Sequence, residues 1–140
     1  MTDPSEFDEL YREIVLDHHR NPRNDEAIDA PTHEGGAINP FCGDEVHVKL
    51  LIRNGLVEEL SVTGVGCSIS QSSASLMGEE IKGKTPDQIS QIEEQFKLLM
   101  SGGVDSLDSD LDALKGVRRY PVRIKCALLA WNALDDALSS

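Results

Sequence analysis

Alternating apolar and polar residues define the clearest element of the chain. Between Asp44 and Arg53 the residues of one face are Val46, Val48, Leu50 and Ile52. This period of two predicts a half-buried strand. Asn54-Gly55 follows, a pair that readily adopts the positive φ angles of a tight hairpin turn. Leu56 to Val65 is therefore predicted to return as the partner strand, with Leu60 and Val62 facing inward.

Helical features occur before and after this hairpin. The first predicted helix ends at Asn21-Pro22, because proline interrupts helical hydrogen bonding. After the hairpin, a small Ser-rich helix is predicted from Ser68 to Gly83. The next begins at Thr85-Pro86 and ends at Gly102-Gly103, and the last runs from Pro121 to about Leu138.

The remaining segments are interpreted as irregular. Residues 23–39 are rich in Asn, Asp, Pro and Gly and predict a loop with a short strand near Ala37–Asn39. Val104 to Asp112 is acidic and shows no periodicity. The order of elements predicts an α+β fold in which helices pack on one side of a small antiparallel sheet of about three strands. The 140 residues are expected to form one domain, 1–140.

Charge and composition restrict the possible functions. The net charge is −12, which argues against a nucleic-acid partner and against an anionic membrane surface. The longest uninterrupted apolar stretch, Cys126–Trp131, has only six residues, and the acidic start lacks an apolar signal segment. Three cysteines, an odd number, predict reduced thiols and a cytoplasmic location.

The surroundings of the three cysteines suggest a common site. Cys42 and Asp44 are separated only by Gly43, so both can face one centre. Cys67 follows two glycines at the start of a predicted helix, where free amides favour a thiolate. Cys126 lies early in the last helix, one turn after Arg123.

Three thiolates and one carboxylate form a four-ligand set. Such a set suits either tetrahedral Zn²⁺ or an iron–sulfur cluster. The alternative is three unrelated buried cysteines, because free cysteine is often buried.

Other polar clusters have simpler interpretations. His18 and His19 are interpreted as surface or helix-end residues, and the serines of 68–75 as close helix packing. The aspartates between 105 and 112 are interpreted as a solvated loop, because they do not match a calcium loop. The five basic residues between Lys115 and Lys125 are either a solvated surface or a docking surface for a protein partner.

Four motifs resemble the IscU/SufU family of iron–sulfur cluster assembly proteins, also called NifU N-terminal-like. They are Asp17–Asn24, Asn39–Asp44, Gly64–Ser70 and Arg123–Trp131. The last three each contain one cysteine and occur in the family's order. The resemblance covers nearly the whole chain, and it implies the family's fold and Cys42, Asp44, Cys67 and Cys126 as metal ligands.

Three features resemble the SufU branch: Lys125 where scaffold members carry His, a longer segment around residues 84–113, and Arg123. That branch implies zinc-dependent sulfur transfer from a PLP-dependent, SufS-like cysteine desulfurase. Docking is expected to free Cys42 from the metal so that it accepts persulfide sulfur. Arg123 is expected to support the site, and a downstream Suf scaffold complex to receive the sulfur.

Two rival hypotheses use the same four residues. One is a non-catalytic scaffold that assembles and delivers a [2Fe–2S] cluster. The other is a purely structural zinc domain. Lys125 favours transfer over the scaffold, and the single exchangeable carboxylate argues against a purely structural site.

Overall fold

A computed structural model describes residues 4–40 and 43–139, with side chains from Arg12 onward. Three strands form an antiparallel sheet in the order β1-β2-β3. In chain order the elements are α1 (Pro4–Arg20), β1 (His33–Asn39), β2 (Asp44–Arg53), β3 (Leu56–Val65), α2 (Ser68–Ile81), α3 (Pro86–Ser101), a 3₁₀ helix (Asp110–Arg119) and α4 (Pro121–Leu138).

The hairpin formed by β2 and β3 confirms the predicted strand boundaries. Asn54 and Gly55 have φ angles of 56° and 76°, which are the left-handed conformations that the turn requires. Val46, Val48 and Leu50 are buried, as are Leu60 and Val62 across the hairpin. A register shift between Leu51 and Ile52 interrupts the alternation.

Strand β1 is longer than the short strand predicted near Ala37–Asn39. It pairs with β2 from His33 to Asn39, although two central glycines weaken its local strand signal. Gly35 lies against α4, and a Cβ at this position would lie 2.7 Å from the Cα of Ala137. Tertiary packing therefore requires both the strand and its glycine.

The segment after α3 is more ordered than predicted. Val104 to Asp112 was expected to be irregular, but the 3₁₀ helix begins at Asp110 and continues to Arg119. Leu111, Leu114 and Val117 are buried at intervals of three residues. A 3₁₀ helix has three residues per turn, so this spacing places them on one face.

The predicted ends of α3 and α4 are confirmed, whereas α2 ends at Ile81, two residues before the predicted Gly83. Thr85 and Gln88 form a reciprocal capping box at the start of α3, and Gly102 terminates that helix in the left-handed conformation. Helix α4 runs from Pro121 to Leu138 as predicted.

Helices α2 and α4 cover one face of the sheet, so the predicted α+β architecture is confirmed. Exposed His47 and Lys49 mark the opposite face. Trp131 of α4 stacks on Phe96 of α3, with ring centroids 5.2 Å apart. In residues 4–40 and 43–139, no helix combines the length and apolarity needed to cross a membrane.

The Ser-rich run in α2 packs closely against two helices, as predicted. Ser72 donates a hydrogen bond to the carbonyl of Val15 in α1 at 2.7 Å. Ser73 donates to the carbonyl of Ala127 in α4 at 2.5 Å. Both hydroxyls are buried, and they join α1 and α4 to α2, the helix whose N-cap residue is Cys67.

Candidate metal centre

Three side chains from distant parts of the chain meet at one point. A carboxylate oxygen of Asp44 and the sulfur atoms of Cys67 and Cys126 all lie within 4.8 Å of one another. Asp44 begins β2, Cys67 caps the N-terminus of α2, and Cys126 lies in the second turn of α4. The fold therefore brings together three of the four predicted ligands.

Asp44 is oriented by the residue that it faces. Its Oδ1 accepts a hydrogen bond from the backbone N–H of Cys67 at 3.0 Å. Its Oδ2 lies 3.6 Å from the Cys67 sulfur, which donates to it. One oxygen thus fixes the carboxylate, and the other is directed to the sulfur atoms.

The carboxylate of Asp44 is only 1% exposed. No ion pair joins it to a cationic side chain in the described part of the chain. A buried carboxylate is expensive unless a cation balances it. Two soft sulfur donors beside it are ligands that zinc and iron–sulfur clusters use. The donor set therefore fits a metal cation.

Two glycines allow β3 to pass close to Asp44. A Cβ at Gly66 would collide with the Asp44 carboxylate and lie 2.6 Å from the Ser70 hydroxyl. A Cβ at Gly64 would collide with the backbone carbonyl of Glu45. A side chain at Gly66 would displace the Asp44 carboxylate, and one at Gly64 would displace the backbone directly after Asp44.

Cys67 occupies the N-cap position of α2 with extended backbone angles. The first amides of a helix have no partner within the helix, and their dipoles favour negative charge at this position. The Ser70 hydroxyl lies 3.8 Å from the Cys67 sulfur and donates to the Cys67 carbonyl at 3.1 Å. Cys67 is half-buried, in contrast to Asp44.

Cys126 is fully buried. The hydrogen bond from Ser73 to Ala127 joins the residue after Cys126 to α2. The separation of Cys67 and Cys126 therefore depends on how α2 and α4 are joined.

Cys42, the predicted fourth ligand and sulfur acceptor, lies outside the described residues. The described chain resumes at Gly43, whose N–H donates to the carbonyl of Asn39 at 2.9 Å and whose φ is +70°. Asn39 pairs with Asp44 in the sheet register. The role of Cys42 stays a prediction.

Arg123 is exposed and borders a groove of about 690 Å³. Ser68, which follows Cys67, and Tyr120 border the same groove. Arg123 thus lies next to the elements that carry the two described cysteines. Its supporting role stays a prediction.

His18 and His19 both lie in the last turn of α1, which confirms the helix-end interpretation, but only His19 is a surface residue. His18 is 6% exposed, and its Nδ1 lies 2.7 Å from the hydroxyl of Ser75. Burial lowers the pKa of His18, and the nearby positive charge of Arg23 lowers it further. No local signal predicted this contact, because Ser75 lies in a different helix.

The acidic segment and the basic segment also contain structural residues. Asp112 was assigned to a solvated loop, but it is buried and accepts hydrogen bonds from Ser106 and from the backbone of Leu107. Arg118, in the basic segment, donates to the carbonyls of Leu99 and Val104. These two side chains stabilise the connection between α3 and α4.

A family model described as "NifU-like N terminal domain" matches residues 10–140. The zinc-dependent sulfurtransferase SufU of Bacillus subtilis is 38% identical over 95% of this chain and 92% of its own length. The iron–sulfur cluster assembly scaffold protein IscU of Thermotoga maritima is 35% identical over 94% of both chains.

A solved structure supports the same relationship. It is a candidate iron–sulfur cluster assembly scaffold protein for the SUF system of Fervidobacterium islandicum AW-1, with a TM-score of 0.81 and 29% identity. The match covers 93% of this chain and 97% of that structure. Both sulfurtransferase and scaffold names therefore occur among proteins similar to this chain.

Proposed function

The chain belongs to the NifU-like N-terminal domain family, and on this premise we propose that it is a zinc-dependent sulfurtransferase of iron–sulfur cluster assembly. It takes persulfide sulfur from a PLP-dependent, SufS-like cysteine desulfurase and gives it to a downstream Suf scaffold complex. The proposed location is the cytoplasm, where thiols stay reduced. The observation that carries the proposal is the buried Asp44 carboxylate facing two cysteine sulfurs without a cationic side chain among the described residues.

Asp44, Cys67 and Cys126 are the proposed protein ligands of zinc, together with Cys42. When bound, zinc would keep the thiols deprotonated and protect them from oxidation. The hydrogen bond from the Cys67 amide holds Asp44 in its orientation. Ligand orientation by a neighbouring group is a common way to raise metal affinity.

Cys42 is the proposed sulfur acceptor. Its thiolate attacks the terminal sulfur of the desulfurase persulfide, as in thiol–disulfide exchange. A new S–S bond forms on Cys42, the old S–S bond breaks, and the desulfurase cysteine leaves as a thiolate. No net oxidation or reduction occurs. Arg123 is proposed to support the negative charge of the reacting sulfur atoms.

A second candidate function is a scaffold that assembles a [2Fe–2S] cluster as cargo on the same residues. The similarity to IscU of Thermotoga maritima supports this candidate. The two candidates differ in the metal that the protein carries when it is purified without added iron. Zinc equimolar to the chain with no visible absorption supports sulfur transfer, whereas a brown protein with bound iron and sulfide supports the scaffold.

The decisive experiment measures alanine release from cysteine by the desulfurase, with and without this protein. Cys42→Ala is expected to abolish the stimulation while circular dichroism shows a folded chain. Asp44→Ala is expected to lose zinc more readily yet keep part of the stimulation, because it retains all three thiols. A folded Cys42→Ala variant that stimulates as well as the parent would assign the acceptor role to Cys67 or Cys126.

Asp44→Asn serves as a matched variant. Its amide oxygen can still accept from the Cys67 N–H, but it has no negative charge to offer a metal ion. If Asp44→Asn retains zinc as tightly as the parent, the carboxylate is not a ligand and the proposed site is wrong.

A further inference from the structure

A groove beside the metal centre carries positive charge in an otherwise acidic protein. It encloses about 690 Å³ and is bordered by α1, the 3₁₀ helix and the first residues of α2 and α4. Arg12, Arg119 and Arg123 lie along it, and its described lining contains no carboxylate. The whole chain, by contrast, has 25 acidic and 13 basic residues. We call this feature the arginine groove.

The surface between these arginines is apolar. Val15 of α1, Ile69 of α2 and Val117 of the 3₁₀ helix line the groove. The side chain of Tyr120 is 62% exposed at its edge, and the neighbouring Val122 is 69% exposed. Exposed apolar side chains among cations suit an apolar partner segment that carries carboxylates.

The arginines of the groove, Arg12, Arg119 and Arg123, have no ion-pair partner in the described part of the chain. The adjacent Arg118 behaves differently, because it donates to the Val104 carbonyl at 3.1 Å and lies 3.5 Å from Asp105. The basic segment therefore contains one structural arginine and a pair of arginines directed to the groove.

The groove is continuous with the elements that carry the cysteines. Ser68 and Ile69 immediately follow Cys67, and Arg123 precedes Cys126 by one helical turn. A protein segment seated in the groove would hold the rest of its own chain next to the thiols. The partner that must bring a reactive sulfur to this point is the cysteine desulfurase of the proposed function.

We infer that the arginine groove is the docking site for an acidic, apolar segment of the cysteine desulfurase. This inference rests on the proposed function. Carboxylates of that segment pair with the three arginines, and its apolar side chains cover Val15, Ile69 and Tyr120. Charge at the edge of an interface acts mainly on the rate of association and on its dependence on salt.

The test measures the affinity of the purified desulfurase for this protein by isothermal titration calorimetry, at low and at physiological salt. Arg119→Glu and Arg12→Glu are each expected to weaken binding by about tenfold or more at low salt. Lys82→Glu is the matched control, since Lys82 is exposed at the opposite end of α2 from Cys67. It changes the net charge equally and should leave the affinity within about twofold of the parent.

Zinc content and circular dichroism are measured on every variant. Arg119→Lys should recover most of the affinity, because it restores the charge. If Arg119→Glu and Lys82→Glu both bind like the parent while stimulation persists, the docking site is wrong and the proposed function stands.

If the unmodified protein neither binds nor stimulates the desulfurase, the proposed function fails and the inferred occupant fails with it. Sedimentation velocity tests the alternative that a second copy of this chain occupies the groove. A parent protein that dimerises, and that Arg119→Glu converts to a monomer, would assign the groove to a second copy of this chain and overturn the inference.

Discussion

The two ends of the β2–β3 hairpin both contain glycine, for different reasons. At the turn end, Gly55 has a φ of 76° and no described atom would lie within 4 Å of an added Cβ. At the site end, an added Cβ at Gly66 would collide with Asp44. Backbone conformation alone requires the first glycine, whereas the second combines a φ of +156° with the proximity of the Asp44 carboxylate. The sequence of a turn can therefore be interpreted locally, whereas the sequence of this site cannot.

Replacement of these two glycines should give the largest contrast. Gly66→Ala displaces the Asp44 carboxylate, so zinc retention is expected to fall by about 10–100-fold. Gly55→Ala should keep zinc and lose about 1–2 kcal/mol of unfolding free energy, because alanine tolerates the left-handed conformation poorly. Zinc release to a chelator and urea unfolding measure the two effects. Equal zinc loss in both variants would contradict the contrast.

The second prediction concerns Glu93 of α3, which is hydrogen-bonded with Asp135 of α4. Asp135 lies about 14 Å along α4 from Cys126. Burial raises the pKa of Glu93 to about 7, hydrogen bonding and charge from Asp135 contribute, and Lys97 opposes the shift. The folded protein thus binds a proton that the unfolded chain releases near pH 4.5. Protonated Glu93 therefore makes its full contribution to the free energy of unfolding below pH 4.5, and this contribution is lost as the pH rises through about 7.

Glu93→Gln resembles the protonated acid and should therefore be more stable than the parent at pH 8, on the order of 2 kcal/mol. The two proteins should converge near pH 4. Urea unfolding at both pH values checks this, and zinc retention at pH 8 should be unchanged because the substitution is remote from the site. A stability difference that does not depend on pH would refute the titration of Glu93.

A third comparison uses two buried serines of α2. Ser73→Ala and Ser72→Ala each remove one hydrogen bond to a neighbouring helix and should each cost about 1 kcal/mol. Only Ser73→Ala loosens α4 beside Cys126, so only it should release zinc faster at equal stability. If both variants release zinc at the same rate, Ser73 has no positioning role beyond stabilising the fold.

The smallest effect is expected at His18. Because burial lowers its pKa, the unfolded chain takes up a proton near pH 6.5 before the folded protein does. The contribution of His18 is therefore complete above pH 6.5 and is lost as the pH falls through the lower folded pKa. His18→Gln can keep a hydrogen bond to Ser75 without titrating.

The parent and His18→Gln should differ more at pH 5.5 than at pH 7.5, with the parent losing up to about 1 kcal/mol relative to the variant. Urea unfolding of both proteins at the two pH values measures this difference. Parallel pH profiles would show that His18 does not change its protonation in this range.

Much of the fold could be predicted because several elements contain their own signals. The boundaries of β2, β3 and α4 follow from alternation, from Asn54-Gly55 and from Pro121, all of which act within a few residues. Strand β1 has no comparable signal. It becomes a strand because β2 offers a pairing edge and α4 packs closely on Gly35.

The candidate site likewise has features that local sequence predicts and one feature that depends on tertiary packing. The sequence by itself determined which residues have suitable chemistry, since Asp44, Cys67 and Cys126 each lie in a distinctive local motif. It also determined that a helix begins directly after Cys67, because the glycines and serines around it act locally. Only the tertiary structure decided that a carboxylate and two sulfurs lie within 4.8 Å of one another. That convergence depends on contacts between residues far apart in the chain, and their packing is not encoded in any single segment.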